Sequence, residues 1–165
     1  MKKLRPAARL RWGVVENLHI TTKFIGEWPE NRLGELTAAL RGLPGREAIP
    51  VAVRGLGWFP NPHAPRVLWA AVHAGPELAE LAAQTEAALE KLGVARENRR
   101  FAPHLTLARI RPPDRIEDLR RIIASSPSLE FGAFQVDRYY LYRSDRGPSG
   151  SVYTRLEEFP LLTRV

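Results

Sequence analysis

PHLTLARI at residues 103–110 and ENLHITTKFIG at residues 16–26 carry the same short element, His104-Leu105-Thr106 in one and His19-Ile20-Thr21 in the other. Both stretches are rich in β-branched and apolar residues and read as strands. Residues two apart on a strand face the same side. Each element therefore projects an imidazole and a hydroxyl together from one face and packs Ile20 or Leu105 into the opposite one.

Working outward from each element gives the same order of pieces. After the first, Leu33, Leu36, Leu40 and Leu43 recur at helical spacing over 30–43. Ile49, Val51 and Val53 then alternate as on a half-buried strand, FPNPHAPR is a Pro-rich loop, and RVLWAAVH is a further strand. After the second, Asp114 and Glu117 predict a capping box that opens a helix with Ile116, Leu119, Ile122 and Ile123 inward. FQVDRYYLYRS and SVYTRLEEF follow as strands around DRGPSG, whose Gly and Pro suit a hairpin tip. Laying His19 on His104, an offset of 85 residues, superposes strand-helix-strand-strand on itself. The sequence thus predicts one domain over 1–165, built from a repeat at about 16–73 and another at about 76–160. The second repeat is introduced by a helix opened by Pro76, with Leu78, Leu81, Ala82, Thr85, Ala88, Leu89 and Leu92 on one stripe and Gly93 just past its end.

The 165 residues are 44% hydrophobic and 26% charged, enough for one compact core. With no cysteine there are no disulfides, thiolate metal sites or thiol nucleophiles. No apolar run has the length of a membrane helix or of a signal peptide's central stretch, so a cytoplasmic protein is expected. The net charge is +7, and 21 of the 25 basic residues are Arg. Guanidinium is a planar fork suited to phosphate, so the balance favours an anionic partner such as nucleic acid.

Two imidazoles and two hydroxyls meeting across a duplicated fold are a sensible set for phosphoester chemistry. Free imidazole titrates near pH 6.5, so one ring can take a proton while the other gives one. Neither element brings a second His, Asp or Glu at a metal-ligand spacing, so no metal and no cofactor is expected. There is no G-x-S-x-G elbow and no P-loop, which removes serine-hydrolase and P-loop chemistry. Lys23 falls on the His19 face by alternation and is a candidate for a phosphate. Trp58, Phe59, Trp69, Tyr139, Tyr140 and Tyr142 are candidate stacking surfaces or simply core. His63 and His73 lack a Thr partner and read as structural or exposed.

ENLHITTKFIGEWPE, PRVLWAAV, FAPHLTLARI and YLYRSDRGPSGSVYTRLEEFPL together resemble the RNA 2',3'-cyclic phosphodiesterases of the two-histidine phosphoesterase superfamily, also called 2'-5' RNA ligases. The resemblance runs from about Leu10 to Leu162. It implies an α+β, bilobal duplicated fold, with antiparallel sheets lining a central cleft and helices on the outside. It implies that His19 is the proton donor to the leaving ribose oxygen and His104 the acceptor that activates water. Thr21 and Thr106 would bind the phosphate, as would Arg109 at the Arg of H-x-T-x-x-R. Strict alternation sets Arg109 on the face opposite His104, so that role requires the strand to end or twist there.

The family also places a strand and a helix before the first motif. Met1 to Val15 do not supply both, so these are expected to be missing. The expected activity is metal-independent hydrolysis of RNA terminal 2',3'-cyclic phosphate to a 2'-phosphomonoester, with reversible 2'-5' ligation through the same groups. The rival is an RNA- or nucleotide-binding module of the same fold with impaired catalysis. The expected partners are RNA ends or nucleoside cyclic phosphates, with no membrane and no obligate protein partner, the chain acting as a monomer.

Overall fold

The computed structural model describes residues 4–111, 113–126, 129–147 and 150–162. Among them lie seven strands and three α-helices: β1 (Arg11–Trp12), α1 (Leu33–Arg41), β2 (Ile49–Phe59), β3 (Val67–Ala74), α2 (Pro76–Glu90), β4 (His104–Arg109), α3 (Glu117–Ala124), β5 (Glu130–Val136), β6 (Arg138–Gly147) and β7 (Gly150–Pro160). One sheet has the order β1-β4-β3-β2-β5, and β6 pairs with β7 in a second. The protein is thus of the α+β class, with antiparallel pairing from β1 to β4, β4 to β3 and β6 to β7. No helix among the described residues is long and apolar enough to cross a membrane.

The chain divides into two compact units, and each takes segments from both sequence halves. One comprises Met1–Thr21, Ala52–His73 and Pro103–Ala133; the other comprises Thr22–Val51, Ala74–Ala102 and Phe134–Val165.

In the first unit, Leu68, Ala70 and Val72 of β3 and Leu107 and Ala108 of β4 are buried, as is Leu119 of α3. Alternation along β3 leaves Val67, Trp69 and Ala71 half-buried on the other face. That half-buried face bears the candidate site. In the second unit, Leu36 and Leu40 of α1, Leu89 of α2 and Val94 pack with Leu141 of β6 and Phe159 of β7. Tyr139 stacks on Phe159 at 4.9 Å, and its hydroxyl donates to the Leu40 carbonyl at 2.7 Å. Burial pushes the Tyr139 phenol above its ordinary pKa.

The helical stripes agree with the sequence. Leu78, Leu81, Ala82, Thr85 and Leu89 of α2 are buried, and Gly93 stands just beyond with φ +92°, the left-handed region. Three expectations change. Residues 16–26 do not form a strand: a 3-10 turn takes Val15–Asn17, and Ile20 makes one isolated bridge to Leu105. The free edge of β4 is already occupied at Ala108 and Arg109 by β1 and at the Leu107 carbonyl by the Gly13 N–H, and Thr22 begins the other unit.

The capping box does not form, because α3 begins three residues past Asp114. Its carboxylate instead accepts from the Arg111 N–H at 2.7 Å, closing a turn. FQVDRYYLYRS is not one strand; it breaks at Asp137, giving β5 to the five-stranded sheet and β6 to the hairpin. The hairpin tip at Pro148 and Ser149 lies outside the described residues.

Candidate active site

β4 is the axis of the site. On one side it pairs with β3, with His104 opposite Ala71, Thr106 opposite Trp69, and Arg109 opposite Val67. On the other side Leu105 bridges Ile20 in antiparallel sense. Around an antiparallel bridge the flanking residues also face each other, so His19 stands beside Thr106 and Thr21 beside His104. Ile20 and Leu105 point one way; His19, Thr21, His104 and Thr106 point the other. Both motifs therefore share one face of one unit.

Arg109 reaches the same face through an irregularity in β4. Leu68 pairs with Ala108 and Trp69 with Thr106, so Leu107 is an extra residue, a β-bulge. Leu107 and Ala108 are consecutive and both buried, as a bulge requires and strict alternation forbids. Beyond it the alternation restarts one residue late, and Arg109 lands on the side of Thr106 and His104.

The ring of His19 is oriented by its own chain. Its Nδ1 lies 2.7 Å from the Asn17 carbonyl oxygen. A carbonyl oxygen only accepts, so Nδ1 carries a proton and donates it. His104 is held by rings: Phe59 is perpendicular to it at 5.0 Å between centroids, and Trp69 lies 6.2 Å away. Phe59 and Trp69 are 5.0 Å from each other. A methyl on Gly57 would sit 2.1 Å from the six-membered ring of Trp69, so a residue without a side chain is required there.

The arrangement points to anion chemistry between two imidazoles. Among the described residues no group of three or more His, Asp or Glu is gathered as a metal site. A family model described as the 2'-5' RNA ligase superfamily matches residues 1–148. The chain belongs to the 2'-5' RNA ligase superfamily. It is 34% identical over 155 residues to an RNA 2',3'-cyclic phosphodiesterase of Methanothermobacter thermautotrophicus, covering 93% of this chain and 84% of that protein. It is 35% identical over 147 residues to one of Aeropyrum pernix, covering 87% and 81%.

Among solved structures, TT0787 of Thermus thermophilus is similar with a TM-score of 0.78 at 33% identity, covering 97% of this chain and 86% of that one. Escherichia coli LigT in complex with 3'-AMP shares the fold, with a TM-score of 0.70 at 24% identity, covering 95% and 83%.

In this superfamily member Lys23 does not join the other candidates. Its ammonium donates to Glu86 Oε1 and to the Ala95 carbonyl, each at 2.6 Å, and its side chain is 4% exposed. Lys23 is thus held in a buried tie of the second unit. Burial works to raise the Glu86 carboxyl, but the hydrogen bonds from Lys23 and the Glu97 N–H outweigh it and hold the carboxyl below its ordinary range. His73 Nε2 lies 3.1 Å from the Arg54 carbonyl, and His63 sits in a turn whose N–H donates to the Asn61 side chain. Both are exposed.

Sequence reasoning missed two residues. Arg11 is directly opposite Arg109 in the β1–β4 pair. Gly57 makes the room that Trp69 fills. A single alternation signal was present for neither, since each depends on which strand lies alongside.

Proposed function

We propose that the protein opens the 2',3'-cyclic phosphate at the end of an RNA chain to a 2'-phosphomonoester, by acid–base catalysis that uses no metal ion. His104 takes a proton from water, and the oxygen of that water attacks phosphorus. The bond from phosphorus to the ribose O3' breaks, and His19 gives that oxygen a proton from Nε2. Thr21, Thr106 and Arg109 donate to the phosphoryl oxygens on which charge develops. Run with the 5'-hydroxyl of a second RNA in place of water, the same ring opening joins RNA ends through a 2'-5' linkage and releases O3' as a hydroxyl, and its reverse cleaves that linkage.

The observation that carries this reading is the Ile20–Leu105 bridge. It makes His19 and His104 diagonal neighbours on one face, a pairing with Cβ atoms somewhat less than about 7–8 Å apart. Imidazoles carried at neighbouring positions of one face can each reach a single bound phosphate. The identity to named RNA 2',3'-cyclic phosphodiesterases supports the substrate.

The test is hydrolysis of a nucleoside 2',3'-cyclic phosphate in EDTA by the parent, His19→Ala and His104→Ala proteins. Each substitution is expected to lower kcat by about 10²–10⁴-fold, EDTA is expected to change nothing, and phosphorus NMR should show the 2'-phosphate. Unaltered turnover in either variant, or its loss on chelation, overturns the mechanism. Tight binding without turnover in the parent identifies a binding module instead.

A further inference from the structure

Arg11 and Arg109 face each other directly across β1 and β4, and both are exposed. Like charges directly opposite on a sheet destabilise it. Neither guanidinium has an ion pair or hydrogen bond to another side chain among the described residues, although the molecule holds eighteen carboxylates by composition. Directly opposed residues share a face, so Arg11 projects with Arg109 onto the side that carries His19, Thr21, His104 and Thr106. Trp12, its neighbour, pairs with buried Ala108 and faces the other way.

The register fixes the spacing. Thr106 is level with Trp69 and Arg109 with Val67, two residues further along β3. Two residues of strand rise are about 7 Å. The two-arginine row therefore lies one further step along the same face from the row of His19 and Thr106, on the order of a single nucleotide step. Arg109 is close enough to be shared with the reacting phosphate. Arg11, on the outer strand, stands level with Arg109 and one step along the same edge of β4 from His19.

We propose that Arg11, together with Arg109, holds a second phosphate: the phosphodiester that joins the terminal nucleotide to the rest of the RNA chain. The inference rests on the RNA-end reading above and extends it, because it makes the site a reader of chains rather than of free cyclic nucleotides. An unpaired, like-charged pair stabilises the free protein least and gains most when an anion enters between the guanidiniums.

The experiment compares Arg11→Gln with the parent on two substrates, a nucleoside 2',3'-cyclic phosphate and a short RNA ending in the same group. For the RNA, KM is expected to rise about 5–10-fold with kcat unchanged, and for the nucleoside neither constant moves. The slope of log KM against log salt for the RNA should fall by about 0.7, the release expected for one phosphate contact on a single strand. Arg11→Lys should recover part of the loss, and Arg11→Gln should melt no lower than the parent, since it removes a like-charge contact. Equal effects on both substrates, or no effect on the RNA, overturn the proposal.

Binding of a fluorescent dinucleotide 3'-phosphate, measured by anisotropy, separates the two readings. If the parent turns over neither substrate, the enzymatic reading fails, while weaker dinucleotide binding by Arg11→Gln still supports the second phosphate site. Equal binding by both proteins overturns it.

Discussion

Ile20 and Leu105 form an isolated antiparallel bridge, and that one pairing turns two separate His-x-Thr elements into a single surface. The two motifs lie 85 residues apart in the chain and adjacent in the sheet. Because the bridge is isolated, each flanking residue is placed by one contact on each side. The Asn17 carbonyl bonded to His19 then supplies the orientation that a longer strand pairing would otherwise give.

Arg109 depends on the bulge at Leu107. Arg109→Ala should lower kcat/KM by about 10–100-fold, the loss expected for charge-assisted hydrogen bonds to phosphate. Arg109→Lys should recover only part, because an ammonium cannot bond two oxygens in the plane of a guanidinium. Steady-state kinetics on a cyclic nucleotide check this, and full activity in Arg109→Ala would refute a phosphate contact.

Gly57 is the most demanding position near the site. A Cβ there would sit 2.1 Å from the Trp69 ring, so Gly57→Ala should force the indole toward Phe59 and His104. Overpacking of this kind costs about 1–3 kcal/mol, to be read from urea denaturation. Turnover should fall with it, and Trp69→Phe in the same chain should restore both by shrinking the ring. A Gly57→Ala protein as stable and active as the parent would show that the rings yield freely.

Lys23 and Glu86 make stability depend on pH. The Glu86 carboxyl has its pKa lowered in the folded chain from an ordinary 4.5. A lowered folded pKa means that the ionised form is favoured by folding, so its contribution is complete above pH 4.5 and is lost as pH falls through the depressed value. Melting temperatures measured from pH 6 to pH 3 should fall in the parent, and fall less in Glu86→Gln. Glu86→Ala leaves a buried ammonium without its carboxylate and should cost about 3–5 kcal/mol at neutral pH.

Tyr139 secures the end of α1. Its hydroxyl is bonded to the carbonyl of Leu40, in the last turn, where helix carbonyls lack partners of their own. Tyr139→Phe keeps the stack on Phe159 and removes only that bond, so a loss of about 1 kcal/mol is expected in chemical denaturation, with catalysis unchanged.

Part of this structure is legible from periodicity alone. The inward stripe of α2, the alternation of Ile49, Val51 and Val53, and the placing of each His with its Thr on one face all follow from spacing along a few consecutive residues. The same local rules set Arg109 on the wrong side, drew a full strand over 16–26, and offered Lys23 to a phosphate. Those outcomes were decided by the tertiary structure. Leu107 bulges because of the register β3 adopts against β4. Ile20 is confined to one bridge because β1 and Gly13 already hold the rest of that edge. Lys23 is withdrawn because Glu86, 63 residues away, is its partner. Arg11 and Gly57 gain their meaning the same way, from the residue that the sheet sets beside each. Local spacing dictates which way a side chain points on an ideal strand; only the neighbouring strands decide where that strand departs from the ideal and what the side chain meets.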